Sequence, residues 1–198
     1  MSSKSALVTA LAVAVLALVH ASTAFACACC SSLGSRYDAV EKLDAQRIGQ
    51  IDGMVFGKTA KVASGEADVE IKGVAAPESD YQLAVAREKK HFVFTLRDAK
   101  GRAGTLALAL PATIAIFEID PRHEDKEGGL GPLLYKEWKL TSPAAGDGLF
   151  AKIVGKGQTI TLVLHGHGRG CTEPSDFTAW TLLVHGREKL TLVGSLER

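Results

Sequence analysis

The chain has 198 residues, 46% of them apolar, with 23 basic against 22 acidic side chains. That length carries one domain with a substantial core. The even charge balance lacks the basic excess or stripe of a nucleic-acid binder, so no nucleic-acid partner is expected, and it gives no electrostatic reason to adhere to anionic lipid.

Residues 1–26 have the three parts of a secretory signal peptide. Lys4 supplies the positive start, Ala6 to Val19 form an apolar run interrupted only by Thr9, and Ala24-Phe25-Ala26 fits the small-x-small rule for cleavage. The apolar run is shorter than the roughly 20 residues of a spanning helix. The expectation is an exported protein, periplasmic or secreted, with no transmembrane span after cleavage and a soluble mature chain. A lipid anchor on Cys27, which directly follows the cleavage site, is the alternative. Ala24 and the bulky Phe25 depart from the Leu and small residue that normally precede a lipidated cysteine.

Three of the four cysteines, Cys27, Cys29 and Cys30, open the mature chain, and Cys171 lies far downstream. In an oxidising compartment they are first read as disulfide partners. Adjacent cysteines bridge each other poorly. The simplest arrangement therefore ties Cys29 or Cys30 to Cys171, with the other pairings open. Cys27 and Cys30 also have the C-x-x-C spacing of thiol redox centres, although they occupy a tail rather than the start of a helix in a βαβ setting.

Residues 31–36 read as an exposed tail. Tyr37, Val40, Leu43 and Ile48 then recur at near-helical spacing among Asp38, Glu41, Lys42 and Asp44, which predicts one short amphipathic helix ending near Gly49. From residue 50 the period becomes two. Strands are expected at Val69–Val74, Gln82–Ala86, His91–Leu96, Thr105–Leu110, Thr113–Ile119, Tyr135–Leu140, Phe150–Val154, Thr159–His165, Thr178–His185 and Lys189–Val193. Arg87–Lys90 and Asp98–Gly101 read as turns, and Pro121–Gly129 as a solvated loop. The expected fold is an all-β antiparallel sandwich or barrel with one short N-terminal helix. The expected organisation is a signal peptide (1–26), a Cys-rich tail and short helix (27–49), and a β-domain (50–198).

The strongest chemical constellation is Leu164-His165-Gly166-His167-Gly168-Arg169-Gly170-Cys171. On a strand His165 and His167 share a face, about 6.5–7 Å apart along the backbone, a spacing that lets two imidazoles converge on one metal. They extend the face of Thr159, Thr161 and Val163, with Ile160, Leu162 and Leu164 on the apolar side. Cys171 is a third candidate ligand, and Cys27, Cys29 and Cys30 add thiolates if the tail lies near. A mixed His/Cys set suits copper or zinc.

Other signals point to structure. Glu118 and Asp120 share a strand face and are read as a strand reaching solvent, or as a carboxylate pair for hydrolysis. Trp180 alternates with Leu182 and Val184 and reads as core, and His185 as a strand-end surface residue. The G-x-S-x-G, H-E-x-x-H and P-loop signatures do not occur. The expected function is a non-enzymatic binding or structural module, with copper or zinc bound through His165, His167 and the cysteines as its candidate activity and a metal ion or an unidentified ligand as its partner; the sequence does not specify its oligomeric state. An extracytoplasmic thiol redox protein using Cys27 and Cys30 is the enzymatic alternative.

Overall fold

The computed structural model describes residues 36–63, 80–120, 134–154, 157–168, 172–185 and 189–197. The proposed signal peptide, all four cysteines, the Val69–Val74 strand and the Pro121–Gly129 loop lie outside the described residues.

Alternating apolar and polar residues build most of the molecule. In β5 (His91–Arg97), Phe92, Phe94 and Leu96 are buried while their neighbours face outward. The same period runs through β4 (Asp80–Glu88), β6 (Ala103–Ala109), β7 (Thr113–Ile119), β10 (Phe177–His185) and β11 (Lys189–Glu197). Two further strands are β8 (Leu134–Gly148) and β9 (Thr159–Gly168). Preceding them are β1 (Arg36–Lys42), α1 (Ala45–Asp52), β2 (Val55–Phe56) and β3 (Thr59–Ala63).

Eight strands, β3, β4, β5, β6, β8, β9, β10 and β11, form a closed antiparallel barrel, as the all-β expectation allowed. Chain order equals spatial order around the ring except that β7 steps outside it. The long β8 makes this possible. Its first half pairs with β7 and its second half with β6 along the same edge, while β9 pairs with its other edge. β1 then pairs with β7, so these two strands extend the sheet beyond the barrel wall.

The interior is filled. Trp180 stands opposite Leu164 and Gly194, Leu182 opposite Leu162 and Leu192, and Phe94 opposite Val85 and Leu106. Phe56, Phe92, Phe94 and Trp180 stack with ring centroids 5.6–6.5 Å apart. An eight-stranded barrel is just wide enough for such side chains to occupy its centre. A Cβ on Gly194 would lie 2.5 Å from the Trp180 ring, so only glycine leaves room for the indole.

Three local expectations are corrected. The helix expected over Tyr37–Ile48 is an edge strand followed by a later helix. The backbone of Arg36–Lys42 satisfies the open edge of β7, a tertiary gain that overrides the weak helical spacing. The helix begins only after Asp44, whose side chain accepts the Arg47 N–H at 2.9 Å as an N-cap. Phe150–Val154 is a turn, held by Ile153 N–H and Val154 N–H donating to the Phe150 carbonyl. Its apolar residues Phe150 and Ile153 plug the core from that turn. β8 instead runs through Pro143 to Gly148. Pro143 falls between the segment paired with β7 and the segment paired with β6, where its missing N–H breaks no ladder on that edge. β2 and β3 carry no expectation above, being too short to show a period.

Candidate functional site

The expected histidine pair is positioned by β9, whose even-numbered residues Ile160, Leu162 and Leu164 fill the barrel and whose odd-numbered residues face out. His165 and His167 therefore share the outer face, His167 exposed and His165 half-buried. The strand continues through Gly168, so both lie in regular sheet rather than in a glycine-rich turn. Across the ladder, Glu137 of β8 stands opposite His165, and Tyr135 opposite His167.

These side chains form one directed chain of hydrogen bonds. Tyr135 donates its only proton to Glu137 Oε1 at 2.5 Å. Its oxygen is then an acceptor for His165 Nδ1–H at 3.1 Å. His165 Nε2 is left as an acceptor, and the Thr181 hydroxyl donates to it at 2.9 Å. Lys139 pairs with the other Glu137 oxygen at 2.7 Å. His167 packs edge-on against the Tyr135 ring, with centroids 5.3 Å apart.

The electrostatics follow from this order. Burial lowers the His165 pKa below the ordinary imidazole value; Glu137 opposes the shift and Lys139 adds to it. The ring is thus neutral over a wider pH range. Burial alone would raise Glu137, but hydrogen bonds from Lys139 and Tyr135 outweigh it and hold the carboxyl below its usual range. Burial, the hydrogen bond to Glu137 and that carboxylate's charge push Tyr135 up to about 12.

Neutral Tyr135 is the form the fold prefers. Its contribution to stability is complete below the unfolded phenol value of about 10 and is lost as pH rises through the folded value. A wild-type minus Tyr135→Phe difference titration of phenolate absorbance should therefore place this tyrosine near pH 12. Glu137→Gln should shift that midpoint downward. A midpoint at the ordinary phenol value in the wild type would remove the Tyr135–Glu137 bond from solution.

Thr181, His165 and Glu137 have the order of a nucleophile, base and carboxylate. Thr181, however, lies mid-strand and is paired on both sides, with Val163 and Val193, so the backbone around it offers no oxyanion hole. Beside this network, Arg36, Asp38, Phe117, Glu137 and Lys139 line an open groove of about 340 Å³.

Glu118 and Asp120 are not where the strand meets solvent. They are only 9% and 2% exposed, because their face is the inner one. Glu118 stands opposite Lys136 of β8, whose side chain is 0% exposed and pairs with Asp176 at 2.6 Å. Thr172 donates to Glu118 at 3.2 Å. In the sequence Lys136 reads as one residue of the Tyr135–Leu140 strand and Asp176 as part of the turn before the Trp180 strand, and neither is marked as a site. The available signal was Leu134, Lys136, Trp138 and Leu140, an apolar register in which one residue is a lysine.

Among the described residues no group of three or more His, Cys, Asp or Glu is placed to hold a metal. The proposed ligands Cys171, Cys27, Cys29 and Cys30 lie outside those residues. No described helix is long and apolar enough to cross a membrane. Fold and site together define an up-and-down β-barrel with a filled interior and a histidine-bearing outer face. Comparison of the chain with family models, curated proteins and solved structures gives no match.

Proposed function

We propose that this protein is an exported, non-enzymatic binding module that takes copper or zinc on the outer face of β9. His165 and His167 supply imidazole, and thiolates of Cys171, Cys27, Cys29 and Cys30 complete the ligand set. The observation that supports this reading most is the chain from His165 Nδ1–H through Tyr135 to Glu137. A metal-binding histidine is usually oriented by a hydrogen bond from its non-ligating nitrogen, and that bond raises the basicity of the other nitrogen. Here the oriented nitrogen is Nε2, covered only by a hydroxyl that can rotate away. The filled barrel supports an outer-surface site, since side chains already occupy its centre.

Titration of the exported protein with Zn(II) or Cu(I) against a competing chelator tests the reading. His165→Ala/His167→Ala should abolish stoichiometric binding, and Glu137→Gln should weaken it by about 10- to 100-fold through loss of the orienting bond. Unchanged affinity in the double variant would sink the proposed site.

A further inference from the structure

We propose that Lys136 and Asp176 become joined by an isopeptide bond formed spontaneously within the folded chain. Lys136 is fully buried on the inner face of β8, with its Nζ 2.6 Å from Asp176 Oδ2. The surroundings are shaped for this contact. Asp176 closes the short 3₁₀ turn Pro174–Asp176, and its Oδ2 also accepts the Glu173 N–H at 3.0 Å, which fixes the carboxyl. Gly168 and Gly166 face it from β9. A Cβ on Gly168 would run into the Asp176 carboxylate, and one on Gly166 into the Asp176 backbone carbonyl. Trp138, two residues beyond Lys136 on the same face, packs on Phe177, next to Asp176, with centroids 4.9 Å apart, so water is kept from one side. Glu118 provides a further buried carboxyl directly across the ladder from Lys136.

The step balances without any co-reactant. Within the pair a proton passes from Lys136 Nζ to the Asp176 carboxylate, giving amine and acid; the freed Nζ lone pair attacks Asp176 Cγ, the N–C bond forms and one Cγ–O bond breaks. The two protons lost by the ammonium leave on that oxygen as water, so ammonium plus carboxylate becomes amide plus water. Two effects favour the product. Fixed groups in contact react with effective molarities of about 10⁵–10⁸ M when well oriented. Burial also penalises an ion pair far more than a neutral amide.

Peptide mapping of the reduced, denatured full chain by mass spectrometry tests the bond. The expected result is a branched species joining the peptides around Lys136 and Asp176, lighter than their sum by one water, with trypsin failing to cut after Lys136. Asp176→Ala should yield linear peptides only. Lys136→Met should fold, retain the high Tyr135 titration, and likewise yield linear peptides only. Full-mass linear peptides from folded wild-type protein would overturn the proposal. Persistence of the branch in Asp176→Ala would overturn the assignment of the acid.

Discussion

Replacing Lys136 by Met should cost about 3 kcal/mol of unfolding free energy, at the lower end of the range for breaking a buried ion pair from one side. Most of that cost comes from what remains. Asp176 is left as a carboxylate with no cation beside it, its side chain only 14% exposed. The lower end applies because that residual exposure and the Glu173 N–H still serve the carboxylate. Urea unfolding of wild type and variant measures the difference, and a loss below about 1 kcal/mol would show that the pair contributes little. The double variant Lys136→Met/Asp176→Leu separates two origins of the effect. Charge orphaning is relieved when both partners become apolar, whereas loss of a covalent link is not. Recovery of most stability in the double variant would thus count against the cross-link and for a simple ion pair.

Trp180→Ala should be the most damaging single truncation, costing about 3–5 kcal/mol, the usual range for removing a large aromatic from a packed core. Trp180 touches Phe56 and Phe94, and its Nε1–H donates to the Ser195 carbonyl at 3.1 Å. Gly194 lies directly under the ring and cannot collapse into the space. The resulting hole is lined by phenylalanine and leucine, and an apolar cavity of that kind stays dry and takes small aromatic guests. The variant should therefore bind indole or benzene, detected as a rise in melting temperature, while the wild type should not. Binding of either guest by the wild type would contradict a filled barrel.

The barrel was legible wherever alternation was strict. Phe92, Phe94 and Leu96, and Trp180, Leu182 and Val184, declare their inner face without any knowledge of partners. His165 and His167 were correctly placed on the outer face by the same rule. Closure was not legible, because it depends on β8 exchanging β7 for β6 along one edge, a non-local choice that Pro143 permits but does not dictate. The N-terminal helix was misplaced for a related reason: the edge offered by β7 decides the conformation of Arg36–Lys42. Lys136 was overlooked because a charged residue between Tyr135 and Glu137 reads as ordinary surface until its register with Leu134 and Trp138 is counted. Tyr135, Glu137 and Thr181 become a network with His165 only through cross-strand pairing, information that lies in no single segment.

One consequence concerns the order of events in synthesis. The ring is sealed by Lys61–Ala63 of β3 against Thr191–Val193 of β11, 128 to 132 residues apart in sequence. A ribosome delivers β3 long before its partner β11 exists. Until then the inner faces of β4, β5 and β6, with their phenylalanines and leucines, have no lid. Such long-range closure is slow and leaves sticky intermediates. The protein should accordingly depend on a holding chaperone while it is being made, and truncation before β11 should yield aggregate rather than a smaller fold.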